Sequence, residues 1–429
     1  MKKNVVIALA VILHGWWFQA AAVSLDDHAQ LRAVAAELVA QEMYSRAELD
    51  AIFEDVEIQQ SVLDAMMNPA EYRLTWGKYR KIFLGEERVQ QGVEFWQEHA
   101  ETLARAEKEY GVPASVIVAI IGVETKFGRI IGKHKVLDSL TTLSVGYPRR
   151  STFFTKELKE FLLLTKENNL DPHAIVGSYA GAVGYPQFIA SSYRNYAVDF
   201  SGDGVTDLMS QPIDAIGSVA NYLKRNGWQP GGAITSQAHQ SVAEPVAELA
   251  NRNRKTPYVA SDLRKLGADI APQVAADERL NVLMLDASEI VPDDDQRDYY
   301  IVRAGDTVCQ IAERFSVPCK ELFSLNKLNK RGAIYRGQRL KLPKSVVHKA
   351  PQSKRVAKPL AKSSKWVVSQ PTTEDEASDV AESGSGYVPM PRYFYTHPNF
   401  YAITEYNHSV LYAMAVHDLS VAIARAYSN

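Results

Sequence analysis

Cysteine is almost missing from this chain. Its 429 residues hold two, Cys309 and Cys319, both in one short stretch, which excludes a disulfide-built scaffold and any site needing four thiolates. No cysteine follows the apolar N-terminus, so no thiol there can carry a lipid. A surplus of either charge is also missing. The 48 Lys and Arg against 50 Asp and Glu leave a formal net charge of -2, which gives no electrostatic footing for nucleic acid. The histidines, among them His134, His173, His397, His408 and His417, are scattered, and none forms the His-Glu-x-x-His pair of a zinc protease. No glycine-rich stretch leads into the lysine and serine of a phosphate cradle, and no organic cofactor is expected.

The N-terminus carries a compact apolar run. Val5 to Phe18 follows Lys2 and Lys3 and precedes Ala20-Ala21-Ala22, so residues 1–22 read as an export signal with a small-residue cleavage site. The run is short for a membrane span. The mature protein is therefore expected to be soluble after signal removal, with a weak tether through Trp16 and Trp17 as the alternative. Export would permit Cys309 and Cys319 to pair; two structural thiols are the other reading.

The rest of the chain is mainly helical. Capped amphipathic segments are expected around Asp27 to Ala40, Ser45 to Phe53, Ile58 to Met66 and Gly92 to Lys108. After Trp228 the apolar runs shorten and Leu280 to Leu285 reads as a strand, which suits a small mixed α/β subdomain. Tyr299 to Pro343 has the pattern of a strand, two helices and a strand. Residues 344–389 are rich in Pro, Ser, Lys and Ala and then in acidic and Ser-Gly residues, with little to bury, and read as a flexible linker. The last segment, 390–429, is apolar and aromatic, with helical spacing at Leu411, Met414, Ala415, Leu419 and Ile423. Exposed alone it would aggregate, so it is expected to return to the helical domain, leaving the four-element module as an insertion.

Three constellations carry chemistry. Glu124 lies in Val116 to Gly128, where nearly every neighbour is apolar; helical spacing from Pro113 sets it with Ile117, Ile120, Ile121 and Phe127. A carboxyl in apolar surroundings is held protonated and can act as a general acid; an ion pair with Arg129 or Lys126 is the structural alternative. Asp199-Phe200-Ser201-Gly202-Asp203-Gly204-Val205-Thr206-Asp207 places oxygen donors at alternating positions around glycine, the first nine positions of a calcium loop. Position twelve is Ser210, so Asp214 is the expected closing ligand beside Asp199, Ser201, Asp203 and the Val205 carbonyl; a helix-capping turn is the alternative. Gly177 to Phe188 sets Ser178, Tyr185 and Gln187 among glycines and aromatics, neutral groups suited to an N-acetylated sugar rather than a phosphate.

These residues, with Tyr147-Pro148-Arg149-Arg150, Asp214 to Tyr222 and Tyr406-Asn407-His408-Ser409, occur together in one order. In that order the chain resembles a lytic murein transglycosylase of the B type over nearly all of residues 26–293 and 393–429. The resemblance implies a lysozyme-like helical core spanning 23–297, calcium loop 199–214 included, and completed by 390–429. It implies cleavage of peptidoglycan between N-acetylmuramic acid and N-acetylglucosamine, in the periplasm. Glu124 falls on the family's catalytic acid. Ser178, Gln187, Tyr222, Asn407, Tyr79 and Tyr412 fall on its groove, and Asp199, Ser201, Asp203, Val205 and Asp214 on its structural calcium site. Two departures stand out: an extra residue between Asp207 and Asp214, and Pro186 where the family commonly has glycine. Residues 298–343 resemble a LysM domain, through Tyr300, Val302, Gly305-Asp306-Thr307, Ile311-Ala312, Asn326 and Gly337-Gln338-x-Leu340; such domains bind N-acetylglucosamine chains.

No second carboxylate stands in the Glu124 or Gly177 stretches, where an ordinary glycosidase needs one. The resemblance implies instead that the muramic 6-hydroxyl attacks its own anomeric carbon, leaving a 1,6-anhydro sugar. A hydrolytic muramidase and a nonenzymatic wall-binding protein are the competing expectations. Peptidoglycan strands are the expected partner, wall-synthesis proteins a further one, and the protein is expected to be a monomer.

Overall fold

A computed structural model describes residues 23–67, 74–238, 242–287, 299–302, 306–315, 317–328, 334, 338–343 and 391–428. The export signal 1–22, the linker 344–389, and Gly305 and Gly337 of the inserted module lie outside the described residues. In chain order the elements begin with α1 Ala29–Ala40, α2 Arg46–Glu54, α3 Gln60–Met67, α4 Trp76–Phe83, α5 Glu86–Glu98, α6 Ala100–Tyr110 and α7 Ala114–Thr125. Then come β1 His134–Lys135, α8 Val136–Gly146, α9 Ser151–Glu167, β2 Val176–Gly177, α10 Ala190–Tyr196 and α11 Pro212–Arg225. Next are β3 Thr235–Gln237, α12 Glu244–Ala247, β4 Tyr258–Val259, α13 Ala260–Lys265, β5 Arg279–Asp286, β6 Tyr299–Ile301, α14 Val308–Arg314, α15 Cys319–Leu325 and β7 Arg339–Lys341. Last come β8 Pro391–Thr396, α16 Pro398–Tyr406 and α17 Val410–Tyr427.

The chain divides into two compact units. One takes the chain up to Pro69, Leu84–Gly231 and Met414 onward; the other takes Ala70–Phe83 and Gly232–Ala413. In the first, two helix starts carry a clear local signal. Ser45 and Glu48 form a full capping box at α2, and Pro212 opens α11. The expected helix Gly92 to Lys108 is instead two, α5 and α6, broken at His99 (φ -114°, ψ 26°), where no glycine or proline signals an interruption. At the centre lies α7, whose residues Val116 to Gly122 are all buried. It is a wholly enclosed helix, not an amphipathic one. The last helix, α17, completes this core: Met414, Ala415, Val416, Leu419 and Ile423 are fully buried. A Cβ on Gly92 would fall 2.4 Å from Ile423, and one on Gly122 would fall 3.4 Å from Leu419, so both glycines are contact points.

The second unit holds an antiparallel sheet in the order β3-β8-β5-β4. Val282 opposes Tyr395, and both face a core with Leu280, Leu263, Val246 and Ile270. The expected strand at 280–285 is β5. Its long partner β8 comes from the C-terminal segment, so 390–429 does not return wholly to the helical domain; it supplies a strand here before α17. A buried polar chain closes one end of this sheet: Ser236 Oγ lies 2.7 Å from His397 Nε2, and His397 Nδ1 lies 2.5 Å from Glu278 Oε1. The groups follow the order of a serine-hydrolase triad. Ser236 nevertheless sits mid-strand, opposite Tyr395, rather than on an exposed turn, and the chain serves as a tie across β3, β8 and β5.

The inserted module pairs β6 with β7 and packs α14 and α15 over them, around Tyr300, Val302, Ile311, Leu322 and Leu340. Thr307 and Gln310 cap α14 reciprocally, and Asn326 ties α15 to β7 through the Lys341 N–H at 2.6 Å. Cys309 and Cys319 are joined as a disulfide. Among the described residues no helix is long and apolar enough to cross a membrane.

Candidate active site

Glu124 is the penultimate residue of α7 and is half-buried, while the helix behind it is enclosed. The helix stops one residue later. Lys126, Phe127 and Gly128 take φ of 51°, 60° and 82°, three successive left-handed residues. Phe127, expected on the helical face, therefore lies beyond the helix end. Two of the three carry side chains, at about 1–2 kcal/mol each. The Phe127 ring explains why the bend persists: it is buried, stacks 5.7 Å from Phe95, and fills the space where a Cβ on Gly122 would sit 2.6 Å away. From α5, the buried Arg88 donates through Nη1 to the Gly122 carbonyl at 2.6 Å, and burial pulls its guanidinium pKa down. A cation there also suits the carbonyl end of a helix.

The loop Gly177–Phe188 is fastened to this turn. Thr125 Oγ1 lies 3.0 Å from the Tyr185 carbonyl, and Gln187 Nε2 donates to the Ile131 carbonyl at 3.1 Å. A Cβ on Gly128 would fall 2.0 Å from the Tyr185 ring, and one on Gly132 would fall 2.1 Å from the Gly177 carbonyl. Strand β1 pairs with β2 through His134 opposite Gly177. Glycine is needed at these two places because two backbones, or a backbone and a ring, meet there.

Ser178, Tyr185 and Gln187 are half-buried on this loop. The Ser178 Oγ accepts the N–H groups of Ala180 at 3.3 Å and Ala182 at 3.1 Å, so its hydrogen is the part left to give. Gln187, at φ 49°, spends both amide hydrogens on the Ile131 and Gly184 carbonyls, so its Oε1 can only accept. Burial raises the Tyr185 phenol pKa, with Glu98 and Asp207 adding to the effect. Tyr222 is buried, its ring 5.5 Å from Phe188 and 4.7 Å from Tyr196. Glu124, Ser178, Tyr185, Gln187 and Tyr222 thus belong to one unit and one network. Tyr79, Asn407 and Tyr412 belong to the other. There Tyr79 is buried 5.1 Å from Phe83, Tyr412 is buried with its ring 6.3 Å from Tyr406, and exposed Asn407 accepts the Ser409 N–H at 3.2 Å before α17. Thr125 and Arg88 were not singled out by the sequence: neither residue type signals chemistry, and only their partners reveal them.

The loop 199–214 is drawn tight by its own amides. Asp199 accepts the N–H groups of Gly202 at 2.6 Å, Asp203 at 3.2 Å and Gly204 at 2.8 Å, and the Gly204 N–H leads the effects that hold its pKa low. Asp203 accepts the Val205 N–H at 2.9 Å, and Ser201 donates to Asp199 at 3.0 Å. Asp214, the expected closing ligand, also meets the loop's backbone. It is 0% exposed, and its two oxygens accept the N–H groups of Phe200 at 2.9 Å, Ser201 at 2.7 Å and Asp207 at 2.9 Å. Among the described residues no three His, Cys, Asp or Glu side chains stand in a metal-holding arrangement. Two carboxylates, a hydroxyl and a carbonyl remain, hard oxygen donors of the kind calcium takes. The loop also buttresses the site, since the Tyr185 N–H donates to the Leu208 carbonyl at 2.9 Å and Gly184 abuts that carbonyl.

A helical core that presents one half-buried carboxyl beside a wall of neutral hydrogen-bonding groups defines a glycan-cleaving site of the lysozyme-like class. A transglycosylase SLT domain model matches residues 26–307 and 330–421, and a LysM domain model matches 300–343. This chain belongs to the lytic murein transglycosylase family, with a LysM domain inserted, and it is an enzyme of the lyase class acting on peptidoglycan. Membrane-bound lytic murein transglycosylase B of Escherichia coli (strain K12) is 42% identical over 253 residues, 57% of this chain and 68% of that protein. The catenated lytic transglycosylase SltB1 of Pseudomonas aeruginosa is 34% identical with a TM-score of 0.66, over 94% of this chain and 100% of that one. The Escherichia coli lytic transglycosylase Slt35 in complex with calcium is 30% identical with a TM-score of 0.63, over 95% of this chain and 96% of that one.

Proposed function

We propose that Glu124 is the single proton-transfer group of this lytic transglycosylase, and that the product carries a 1,6-anhydromuramic acid end. The observation that carries this is the acid content of the turn and the wall: besides Glu124, no acidic residue occurs from Val112 to Lys135 or from Ala174 to Ala190. A glycosidase that attacks with a carboxylate, or activates water with one, needs a pair. With one in these two stretches, the acid serves twice. Glu124 protonates the glycosidic oxygen as the bond to the anomeric carbon breaks; its carboxylate then takes the proton of the muramic 6-hydroxyl as that oxygen closes onto the same carbon. No water is consumed, and the tethered hydroxyl gains the proximity advantage of an intramolecular nucleophile.

The wall of the site complements an N-acetyl group. Ser178 has a hydrogen to give and Gln187 an oxygen to receive one, which suits the carbonyl and the N–H of an acetamide respectively. Tyr185 and Tyr222 supply ring surface; the resemblance gives Tyr79, Asn407 and Tyr412 sugar-binding roles as well. Calcium would be held by Asp199, Ser201, Asp203 and the Val205 carbonyl, with Asp214 clamping the backbone of the loop. When bound, it supplies only rigidity to the loop behind Tyr185. With two carboxylates the site falls at the weak end, about 10⁻⁴–10⁻³ M. The enzyme works as a monomer in the periplasm, where the LysM domain raises the local concentration of strands and wall-synthesis proteins meet it.

Mass analysis of sugars released from purified murein tests the central claim. The wild type is expected to give anhydromuramoyl ends and Glu124→Gln none. Ordinary reducing ends from the wild type would instead show hydrolysis, and full activity in Glu124→Gln would remove Glu124 from the chemistry.

A further inference from the structure

The turn after Glu124 is held by a residue that the proton-transfer scheme does not use. Thr125 is 1% exposed. Its Oγ1 stands 3.1 Å from the Ile121 carbonyl and 3.0 Å from the Tyr185 carbonyl, and it accepts the Gly128 N–H at 3.0 Å. A hydroxyl has one hydrogen to give and two lone pairs. One Thr125 side chain therefore meets three pieces of structure: the last turn of α7, the left-handed residues Lys126, Phe127 and Gly128, and the backbone of the groove wall. Left-handed conformations on residues with side chains persist only where surrounding contacts over-determine them. The Ile130 N–H, which donates to the Thr125 carbonyl at 2.9 Å, closes the turn from its far side.

We propose that Thr125 is a positioning residue for the reaction: its hydroxyl fixes the spacing between the Glu124 carboxyl and the wall formed by Gly184 to Gln187. This rests on Glu124 being the acid. The reasoning is geometric. Glu124 is carried by the helix end, while the sugar is oriented by Ser178, Tyr185 and Gln187. The distance between acid and glycosidic oxygen is then set by whatever joins these two supports. Gln187 Nε2 to the Ile131 carbonyl joins them farther from the acid, and Thr125 joins them one residue from it. Losing the nearer link leaves the groove able to hold the strand, but with the acid misplaced. A displacement near 1 Å costs about 10²-fold in rate.

The test is steady-state cleavage of a soluble glycan fragment by wild type, Thr125→Val, Thr125→Ser and Glu124→Gln. Valine keeps the shape and removes the hydroxyl; serine keeps the hydroxyl. Thr125→Val is expected to lower kcat by about 10–100-fold with KM within about threefold of wild type, and Thr125→Ser to return kcat to within about threefold. A kcat in Thr125→Val equal to wild type, with Glu124→Gln inactive, overturns the proposal and leaves the acid assignment intact. A serine variant as slow as the valine one also overturns it, since the hydroxyl would not be the agent. An active Glu124→Gln overturns the acid assignment, and the proposal with it. Should Thr125→Val not hold its fold, Thr125→Ala, checked by thermal melting at the assay temperature, is judged by the same split and the same serine rescue.

Discussion

Replacing Asp214 by asparagine separates two roles that one buried carboxylate could play. Its Oδ1 receives two backbone N–H groups, from Phe200 and Ser201, and its Oδ2 receives a third from Asp207. Asparagine is the same size. Its oxygen can serve the first two donors, but its NH₂ then points a donor at the Asp207 N–H. The change leaves one amide unmet and removes the charge from two bonds. Hydrogen bonds to charged groups contribute about 1.5–3 kcal/mol and an unmet buried donor costs about 1–3 kcal/mol, so the loss is set at about 3–5 kcal/mol. For a unit of this size that is a fall in Tm of about 6–20 °C. The loop is pinned without any ion: Phe200 is buried, its ring lies under Arg105 at 3.8 Å, and it fills the space beside Gly217. The fall should therefore appear equally in EDTA and in millimolar calcium, by scanning fluorimetry or calorimetry. A variant that melts with the wild type in EDTA, and falls behind only when calcium is added, would refute the clamp and make Asp214 a ligand.

Two more outcomes follow from buried groups. Burial drives the His417 imidazole down to about 4, so on acidification the unfolded chain takes up a proton that the folded one refuses. Stability should fall between pH 6.5 and about 4, by up to about 3 kcal/mol, and His417→Gln should flatten that part of the profile in denaturant titrations. In the LysM domain, Cys309→Ser with Cys319→Ser opens the disulfide and should cost that domain about 2–3 kcal/mol. Retention on insoluble murein should then fail at a lower temperature than in the wild type, while cleavage of soluble fragments is unchanged; equal loss of both would contradict the separateness of the module.

Much of this was legible in the sequence because each element carried its own chemistry. The capped segment expected from Ser45 is helix α2, and the structure adds its capping partner Glu48. The short apolar run of β5 and the module of two strands and two helices could also be read. What could not be read depends on partners distant in the chain. The break at His99 has no local signal. The left-handed path through Lys126 and Phe127 is fixed by Gly122, Phe95 and Tyr185 rather than by propensity. The three backbone amides that face Asp214 could not be read from spacing. The C-terminal segment was expected in one place and serves two, since β8 needed β3 and β5 as neighbours before it could be seen as a strand.

The final helix gives the order of synthesis a bearing on folding. Leu419 and Ile423 fill the gaps over Gly122 and Gly92, yet they are made after the whole sheet and the LysM insert. A growing polypeptide cannot finish packing the helix that bears the acid until these late residues have arrived. A product halted before them lacks the side chains that close over Gly122 and Gly92, and the two helices bearing those glycines are left with an open seam.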